Sequence, residues 1–246
     1  MTPLTIVLPC YEEGERLPGA LERYLGHFPA GEHGIEVLVV DDGSHDQTAA
    51  AAAAVAARDP RVRVLRSSPN RGKGFAVRAG MLAGRGELLV FTDADGSYGP
   101  EEVERVVRAL DDAAVVIGRR GDLEQGWPLL RRLASRVFNL ATRLLLGLPF
   151  RDTQCGLKAF RRDAAGELFG RGRVDGFAFD AETLFLARRL GLTVVEVEVS
   201  PEDREGSKVR LAVDALRMLR DMWRVRRAAA AGAYDHAPSP ARDRAS

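Results

Sequence analysis

The chain has 246 residues, enough to bury a sizeable core in one large domain or two. Its 46% hydrophobic and 29% charged residues are ordinary for a soluble globular protein, and a net charge of +1 excludes a strongly basic nucleic-acid binder as the default. Cys10 and Cys155 make no disulfide framework and match no zinc spacing, which points to a reducing compartment.

Leu4–Leu8 is a strand by composition and length, closed by Pro9, and a helix is expected from about Glu13 to His27 with Leu17, Leu21, Tyr24, Leu25 and Phe28 on one face. Glu36–Val40 is a second strand ending in Asp41-Asp42-Gly43-Ser44, after which Ser44 or Asp46 is expected to cap an alanine-rich helix. Val62–Leu65 is a third strand, followed by the loop Asn70-Arg-Gly-Lys-Gly74 and a helix through Ala83. The run Leu88–Thr92 has no helical period and reads as a buried strand that ends in Asp93-Ala94-Asp95-Gly96-Ser97. A helix opened by Pro100, with Glu101 and Glu102 in its first turn, and a fifth strand at Val115–Ile117 complete the alternation. Strands alternating with helices over this length predict a parallel, doubly wound α/β sheet.

Beyond residue 120 the rhythm changes. Pro128–Leu148 is one long amphipathic pattern with Leu130, Leu133, Val137, Leu140, Leu144 and Leu148 on one side. A polar loop, Arg151-Asp-Thr-Gln-Cys-Gly156, leads into Leu157–Phe160. Phe179–Leu190 is expected as a helix and Thr193–Val199 as a half-buried strand. Ser207–Arg227 is a second amphipathic helix whose stripe is Val209, Val213, Leu216, Leu219 and Trp223. The expected organisation is a single domain over 1–227 and a disordered tail over 228–246. No run of about 20 apolar residues exists to span a bilayer, and Pro9 and Tyr11 come too early for a secretory signal. The expectation is a cytoplasmic protein, soluble or peripheral on the cytoplasmic face of a membrane.

Four acidic or glycine-rich turns follow strands directly: Pro9–Glu13, Asp41–Ser44, Asn70–Gly74 and Asp93–Asp95. Parallel strands place such turns at one sheet edge, where open α/β sheets bind ligands. Alternation along an extended chain points Asp93 and Asp95 the same way. Two carboxylates so close repel unless a cation lies between them, and a hard divalent ion is the usual answer. The plainer alternative has Asp93 capping a turn and Asp95 solvated. Tyr11 could stack on a base, and Asp42 could accept from ring N–H or ribose hydroxyls; equally, Tyr11 and Glu13 could simply start a helix.

Taken together, Ile6-Val-Leu-Pro-Cys-Tyr-Glu-Glu13, Val39-Val-Asp-Asp-Gly-Ser44, Asn70-Arg-Gly-Lys-Gly-Phe-Ala76 and Thr92-Asp-Ala-Asp95 resemble the inverting family 2 glycosyltransferases, whose fold is GT-A. Within them the chain most resembles dolichyl-phosphate glucosyl- and mannosyltransferases. Arg151–Phe160, Phe179-Asp-Ala-Glu182 and Gly206-Ser-Lys208 resemble the glucosyl branch in particular, and the likeness covers about residues 4–226. The resemblance implies a Rossmann-like, mostly parallel sheet. It implies that Pro9, Tyr11, Glu13 and Asp42 line a nucleoside pocket, with Lys73, Asp93, Ala94 and Asp95 completing the nucleotide-sugar site. It further implies that Asp93 and Asp95, with Ser97, hold Mg²⁺ or Mn²⁺ against the diphosphate. Arg120, in Gly118-Arg-Arg120, would lie near the donor phosphates or the acceptor, and with Arg204 and Lys208 is assigned to the acceptor phosphate, so that Asp93, Asp95, Arg120 and Lys208 carry catalysis. The spacing around Arg204 departs from the mannosyl relatives, and both Arg119 and Arg204 could instead be solvated surface residues.

The implied reaction moves a hexose, glucose from UDP-glucose first and mannose from GDP-mannose as the alternative, onto a polyprenyl phosphate. A divalent ion stabilises the charge that grows on the leaving diphosphate. A phosphate acceptor is already an oxyanion at neutral pH and requires no general base; a hydroxyl acceptor would require one, with Asp152, Asp180 or Glu182 as candidates. The two amphipathic helices could pack on the sheet in the ordinary way, or lie apolar face down on a membrane or partner protein with their arginines near anionic headgroups. Rival readings are an Asp-x-Asp phosphatase with Asp93 as nucleophile, which leaves Asp41-Asp42 unexplained, and a catalytically silent nucleotide-binding module.

Overall fold

The computed structural model describes residues 4–28, 34–121, 129–202 and 211–235. Strands β1 (Leu4–Cys10), β2 (Ile35–Asp42), β3 (Val62–Ser67), β4 (Leu88–Phe91), β5 (Val115–Arg120), β6 (Lys158–Arg161) and β7 (Val194–Val199) form one sheet in the order β3-β2-β1-β4-β6-β5-β7. The first four are mutually parallel, and β5 runs parallel to β7. β6 is antiparallel to both of its neighbours, β4 and β5. The mostly parallel α/β sheet expected from the alternation is therefore present, with one departure. β4 and β5 do not pair, because a reversed four-residue strand, in a stretch to which the sequence reading assigned no element, lies between them.

The helices are α1 (Leu17–His27), α2 (Thr48–Ala56), α3 (Lys73–Ala83), α4 (Pro100–Arg108), α5 (Leu129–Leu146), α6 (Arg162–Arg171), α7 (Phe179–Arg189) and α8 (Leu211–Ala230). α1 starts four residues later than expected: Glu13 closes a turn by accepting from Arg16 N and Leu17 N, and Pro18 sits in the first helical turn, where its missing N–H costs nothing. Neither expected cap occupies the cap position of α2, which is Gln47; the Asp46 carboxylate does accept from Thr48 N.

Strands buried on both faces read as unbroken apolar runs, and alternate residues of each serve two cores. Val7, Leu38, Val40, Leu89, Phe91, Val115, Ile117 and Phe160 join residues of α3, α6, α7 and α8 on one side. Ile6, Leu8, Val37, Val39, Val90, Val116 and Ala159 join α1, α2 and α4 on the other. The first core holds an aromatic row in which Phe91 stacks on Phe160 at 6.1 Å and meets Phe179 at 5.6 Å.

Of the stripes that the sequence singled out, Leu148 is buried and Leu219 packs against the core, while other described members face outward. α5 turns Thr142 and Leu146 inward and leaves Val137, Leu140 and Leu144 exposed, the last at 71%. α8 buries Met218, Met222, Val225 and Ala229 and exposes Leu216 and Trp223. α8 also passes the expected boundary at residue 227. The turn after it buries Tyr234, whose hydroxyl donates to Glu182 Oε1 at 2.6 Å. Residues 236–246 of the expected tail lie outside the described residues.

Candidate active site

The C-terminal ends of β1 to β5 and β7 share one edge of the sheet, and the reversed β6 brings its N-terminal end there too. The loops on this edge are tied to one another in series. After β1, Glu12 N donates to Ser44 Oγ (2.9 Å), Glu13 N to Thr48 Oγ1 (2.8 Å) and Gly14 N to Asp46 Oδ2 (3.0 Å), which fastens the first loop to the second. Glu12 has φ +56°, left-handed backbone rarely taken by a non-glycine residue, and these bonds hold it. Tyr11 stands beside it on the rim, 38% exposed, while the Glu13 carboxylate pairs with Arg16 at 2.7 Å. Pro9 is half-buried at the end of β1.

Asp42 fastens the second loop to the third. Its carboxylate, 2% exposed, accepts from Ser67 Oγ, Arg71 N and Gly72 N. A carboxylate has about four lone-pair sites, and the four contacts made here, all to this chain, engage them. Asp42 thus shapes the 70–74 loop. Gly72 has φ +114° and no room for a side chain, since a Cβ would lie 2.5 Å from Asp175 O. The root of Lys73, the first residue of α3, is therefore fixed from both sides.

Lys73 ties the third loop to the fourth: its Nζ lies 2.5 Å from Asp93 Oδ1. Asp95 Oδ1 accepts from Ser97 N and Ser97 Oγ, so Ser97, expected as a third metal ligand, turns its hydroxyl to Asp95 and braces it. Ala94 is buried between the two carboxylates. The hard oxygens of Asp93 and Asp95 suit a divalent cation such as Mg²⁺. No group of three or more His, Cys, Asp or Glu that could hold a metal occurs among the described residues, so phosphate oxygens and water would complete the shell, the mode Mg²⁺ favours.

The opposite wall is the loop before β6. Gly156 is seated against Asp93, so that a Cβ there would lie 2.1 Å from Asp93 Oδ2. Asp152, in the same loop, takes Arg120 Nε at 2.7 Å and a second guanidinium nitrogen at 3.0 Å. Burial alone would raise the Asp152 carboxyl, but the hydrogen bonds and charge of Arg120, helped by the Lys158 charge, hold it below the ordinary carboxylate value. Burial likewise opposes the charge of Arg120, yet the bonds to Asp152 win and keep it firmly cationic. Arg119 instead pairs with Glu198 at the rim. Arg204 and Lys208 lie outside the described residues; Glu202, just before them, donates its amide to Ser97 O, which brings that chain to the same rim.

The other two carboxylates considered as bases are engaged inside the protein. Asp180 accepts from Lys158 Nζ at 2.6 Å beneath the site, with Lys158 wholly buried. Burial pushes the Asp180 carboxyl up against the lowering charges of Lys158 and Lys73. Glu182 accepts from Arg173 N, Val174 N and Tyr234 Oη, and burial again raises its carboxyl. Gly156, Lys158 and Tyr234 are the functional or supporting positions that the sequence reading missed. Only Lys158 left a signal, as a lone lysine inside an apolar run. Both cysteines are buried, and neither forms a disulfide.

A model of the family Glycosyl transferase family 2 matches residues 5–169. A dolichyl-phosphate beta-glucosyltransferase of Drosophila melanogaster is 36% identical over 240 residues, spanning 90% of this chain and 74% of that protein. The Homo sapiens protein of the same name is 34% identical over 257 residues, spanning 94% and 77%. Among solved structures, glucosyl-3-phosphoglycerate synthase from Mycobacterium tuberculosis in complex with Mn²⁺, UDP-glucose and phosphoglyceric acid superposes with a TM-score of 0.69 at 20% identity, over 91% of this chain and 79% of that one. Mannosyl-3-phosphoglycerate synthase from Rubrobacter xylanophilus gives 0.67 at 22% identity, over 98% and 78%.

Proposed function

The chain belongs to glycosyl transferase family 2 and is a glycosyltransferase with a GT-A fold, and from that premise we propose that it transfers glucose from UDP-glucose to a polyprenyl phosphate at a membrane surface. The observation that carries this reading is the meeting of two walls at Asp93. On one side is the nucleotide-facing loop through Lys73, on the other the 151–157 loop through Gly156.

In this reading Pro9, Tyr11 and Glu13 border the nucleoside, with the Tyr11 ring exposed where a base can stack. Asp42 acts through the 70–74 loop, which it holds in shape. Asp93 and Asp95 hold Mg²⁺ or Mn²⁺, which when bound neutralises the charge growing on the leaving diphosphate. Lys73, at the N-terminal end of α3, adds its own charge to the helix end, a favourable place for phosphate. Across the site Arg120, fixed in plane by Asp152, offers its remaining guanidinium N–H groups to the acceptor phosphate, the group to which the resemblance also assigns Arg204 and Lys208. The acceptor oxygen then attacks the anomeric carbon from the face opposite the leaving diphosphate, which inverts the configuration.

The state of the carboxylates supports a phosphate acceptor over a hydroxyl. A general base must reach the proton that it removes and be free to hold it. Asp152 is held by Arg120, Asp180 by Lys158 and Glu182 by Tyr234 and two amides. A phosphate monoester needs no such base, because its oxyanion is preformed and needs only alignment.

Membrane contact follows from the exposed faces. Among the described residues no helix is long and apolar enough to cross a membrane. Val137, Leu140, Leu144, Leu216 and Trp223 nevertheless face outward on the two helices, with Arg217, Arg220 and Arg224 along α8. We assign these faces to the cytoplasmic surface of a membrane that carries the lipid acceptor, each nearby arginine contributing roughly 1 kcal/mol. In this scheme the described residues through Asp235 act as one catalytic domain. The test is a panel of UDP-, GDP- and dTDP-sugars with Mg²⁺ or Mn²⁺, with and without polyprenyl phosphate. The expected result is glucosyl-phosphate-lipid formed only from UDP-glucose with metal and lipid present. Turnover of GDP-mannose alone, or transfer to a hydroxyl acceptor alone, would overturn the assignment.

A further inference from the structure

Lys73 occupies a position that donor binding alone does not explain. Its ammonium contacts Asp93 Oδ1 at 2.5 Å, while Asp93 Oδ2 is covered by the backbone at Gly156. One oxygen of the first aspartate is thus held by a cation, and the other faces Gly156 too closely to admit a Cβ there. Asp95, by contrast, has Oδ1 committed to Ser97 and no hydrogen bond to Oδ2 among the described residues. The charges of Asp93, Asp180 and Asp95 all act on the Lys73 ammonium, with Asp93 in contact, and Lys158 answers the charge of Asp180. That leaves the single charge of Lys73 against the pair Asp93 and Asp95, the two groups read above as the metal's ligands.

We propose that Lys73 is the resident counter-ion of the metal site: with no donor bound its ammonium takes the cation's place at Asp93, and on loading it swings off Asp93 onto the donor's diphosphate. This rests on the reading of Asp93 and Asp95 as the metal's ligands. The swing requires no backbone movement. The root of Lys73 is held by the Asp42 bonds to Arg71 N and Gly72 N and by the closeness of Gly72 to Asp175 O, but the side chain beyond it is a four-carbon stem with free torsions. A divalent ion arriving alone must displace an ammonium that then has no anion to go to. Arriving with a diphosphate, it supplies that anion. Metal and nucleotide thus bind cooperatively through Lys73, beyond whatever they gain by touching each other, and the empty site is kept from binding stray cations or collapsing through carboxylate repulsion.

The consequence is an opposition of signs that a plain phosphate-binding lysine would not produce. Lys73→Met should weaken UDP binding yet tighten Mn²⁺ binding in the absence of nucleotide, by about tenfold, and should reduce the gain in Mn²⁺ affinity that UDP confers. Lys73→Arg, which keeps a cation, should stay near the unmodified protein in Mn²⁺ affinity. The measurement is electron paramagnetic resonance of free Mn²⁺ during titration of the full chain, without and with UDP, on the unmodified protein, Lys73→Met, Lys73→Gln, Lys73→Arg and Asp95→Asn. Lys73→Gln repeats the charge removal in case the methionine variant fails to fold. If the unmodified protein binds Mn²⁺ too weakly to saturate while the neutral variants saturate, the proposal is supported. Equal or weaker nucleotide-free Mn²⁺ binding in both neutral variants overturns it. The underlying metal reading fails separately, by Mn²⁺ binding that Asp95→Asn leaves unchanged.

Discussion

Replacing Gly156 by alanine should disable transfer while leaving the sheet folded. An alanine Cβ would lie 2.1 Å from Asp93 Oδ2, whereas ordinary contact begins near 3.4 Å. Either the carboxylate or the 151–157 loop must therefore move by about 1.3 Å. Rotation of the carboxylate would relieve the clash only by turning it out of the direction in which it contacts Lys73 and would hold a metal. The loop is held from its far side by the Arg120–Asp152 pair and by Thr153 Oγ1 donating to Asn139 on α5. Overpacking of this kind costs roughly 1–3 kcal/mol of stability. An error of about 1 Å at a reacting centre can cost about 100-fold in rate.

The assay is initial-rate transfer from UDP-glucose with Mn²⁺ and a short polyprenyl phosphate, run beside a thermal melt and a Mn²⁺ titration in the presence of UDP. The expected pattern is a loss of about 100-fold in kcat, weakened Mn²⁺ binding and a cooperative melt only a few degrees lower. Full transfer rate and unchanged Mn²⁺ affinity would refute the placement of Gly156 against the metal-binding aspartate. A chain that fails to melt cooperatively would show that the 151–157 loop supports the fold rather than the chemistry.

Asp95→Ala should abolish transfer with no loss of secondary structure, since the half-buried carboxylate is bonded only locally to Ser97; retained turnover would exclude a metal role for it. Glutamate at Leu144 and Trp223 together should reduce sedimentation with anionic phospholipid vesicles several-fold while leaving the melt unchanged, because both side chains are more than half exposed; undiminished vesicle binding would move the membrane face elsewhere. Asp152→Asn should destabilise the protein by about 1–3 kcal/mol at pH 7, a discounted figure because Arg120 retains some access to water. Asp152 is held below its ordinary value of 3.8, so its stabilisation is full above that pH and is lost as pH falls through the lower, folded value. The gap between the two proteins in urea midpoint should therefore be widest at neutral pH and shrink near pH 3; an equal gap at both would mean that the pair contributes packing rather than charge.

The part of this architecture that is local in sequence was legible before any coordinates. β1, β2, β3 and β4 announce themselves as apolar runs closed by proline, glycine or aspartate, and their shared direction follows from the helices between them. What joins the loops is non-local, and no period or spacing carries it. Ser44 reaches back 32 residues to Glu12, and Asp42 reaches forward 29 and 30 to Arg71 and Gly72. Asp42 could be picked out as a site residue, but its partners are backbone amides that the sequence does not reveal. β6 escaped because it is four residues long and carries Lys158, a residue that disfavours a buried strand until Asp180, 22 positions later, neutralises it. Tyr234 was hidden by its neighbours: alanine, proline and small polar residues suggest disorder, while one aromatic hydroxyl aimed at Glu182 anchors the segment through Asp235. The stripes of α5 and α8 were legible as apolar, but amphipathicity alone does not say which face meets the protein.

The reversed strand explains how one sheet edge can serve two substrates. A parallel strand between β4 and β5 would deliver only its C-terminal loop to the rim, and its entry loop would lie at the opposite edge. Because β6 is antiparallel, the loop that enters it, 151–157, arrives at the rim between the ends of β4 and β5. That places Gly156 against Asp93 on one side and Asp152 against Arg120 on the other. The half built on β1 to β4 and the basic half beyond β6 are thereby joined by the single 151–157 span. The buried lysine is the cost of this reversal. Lys158 opens the strand at the rim, points into the core under Phe91 and is held there by Cys155 O and Asp180. Removing either charge alone should cost about 3–5 kcal/mol by stranding the other in the interior. The ion pair is therefore a structural support: it fixes the floor from which the 151–157 loop reaches the rim.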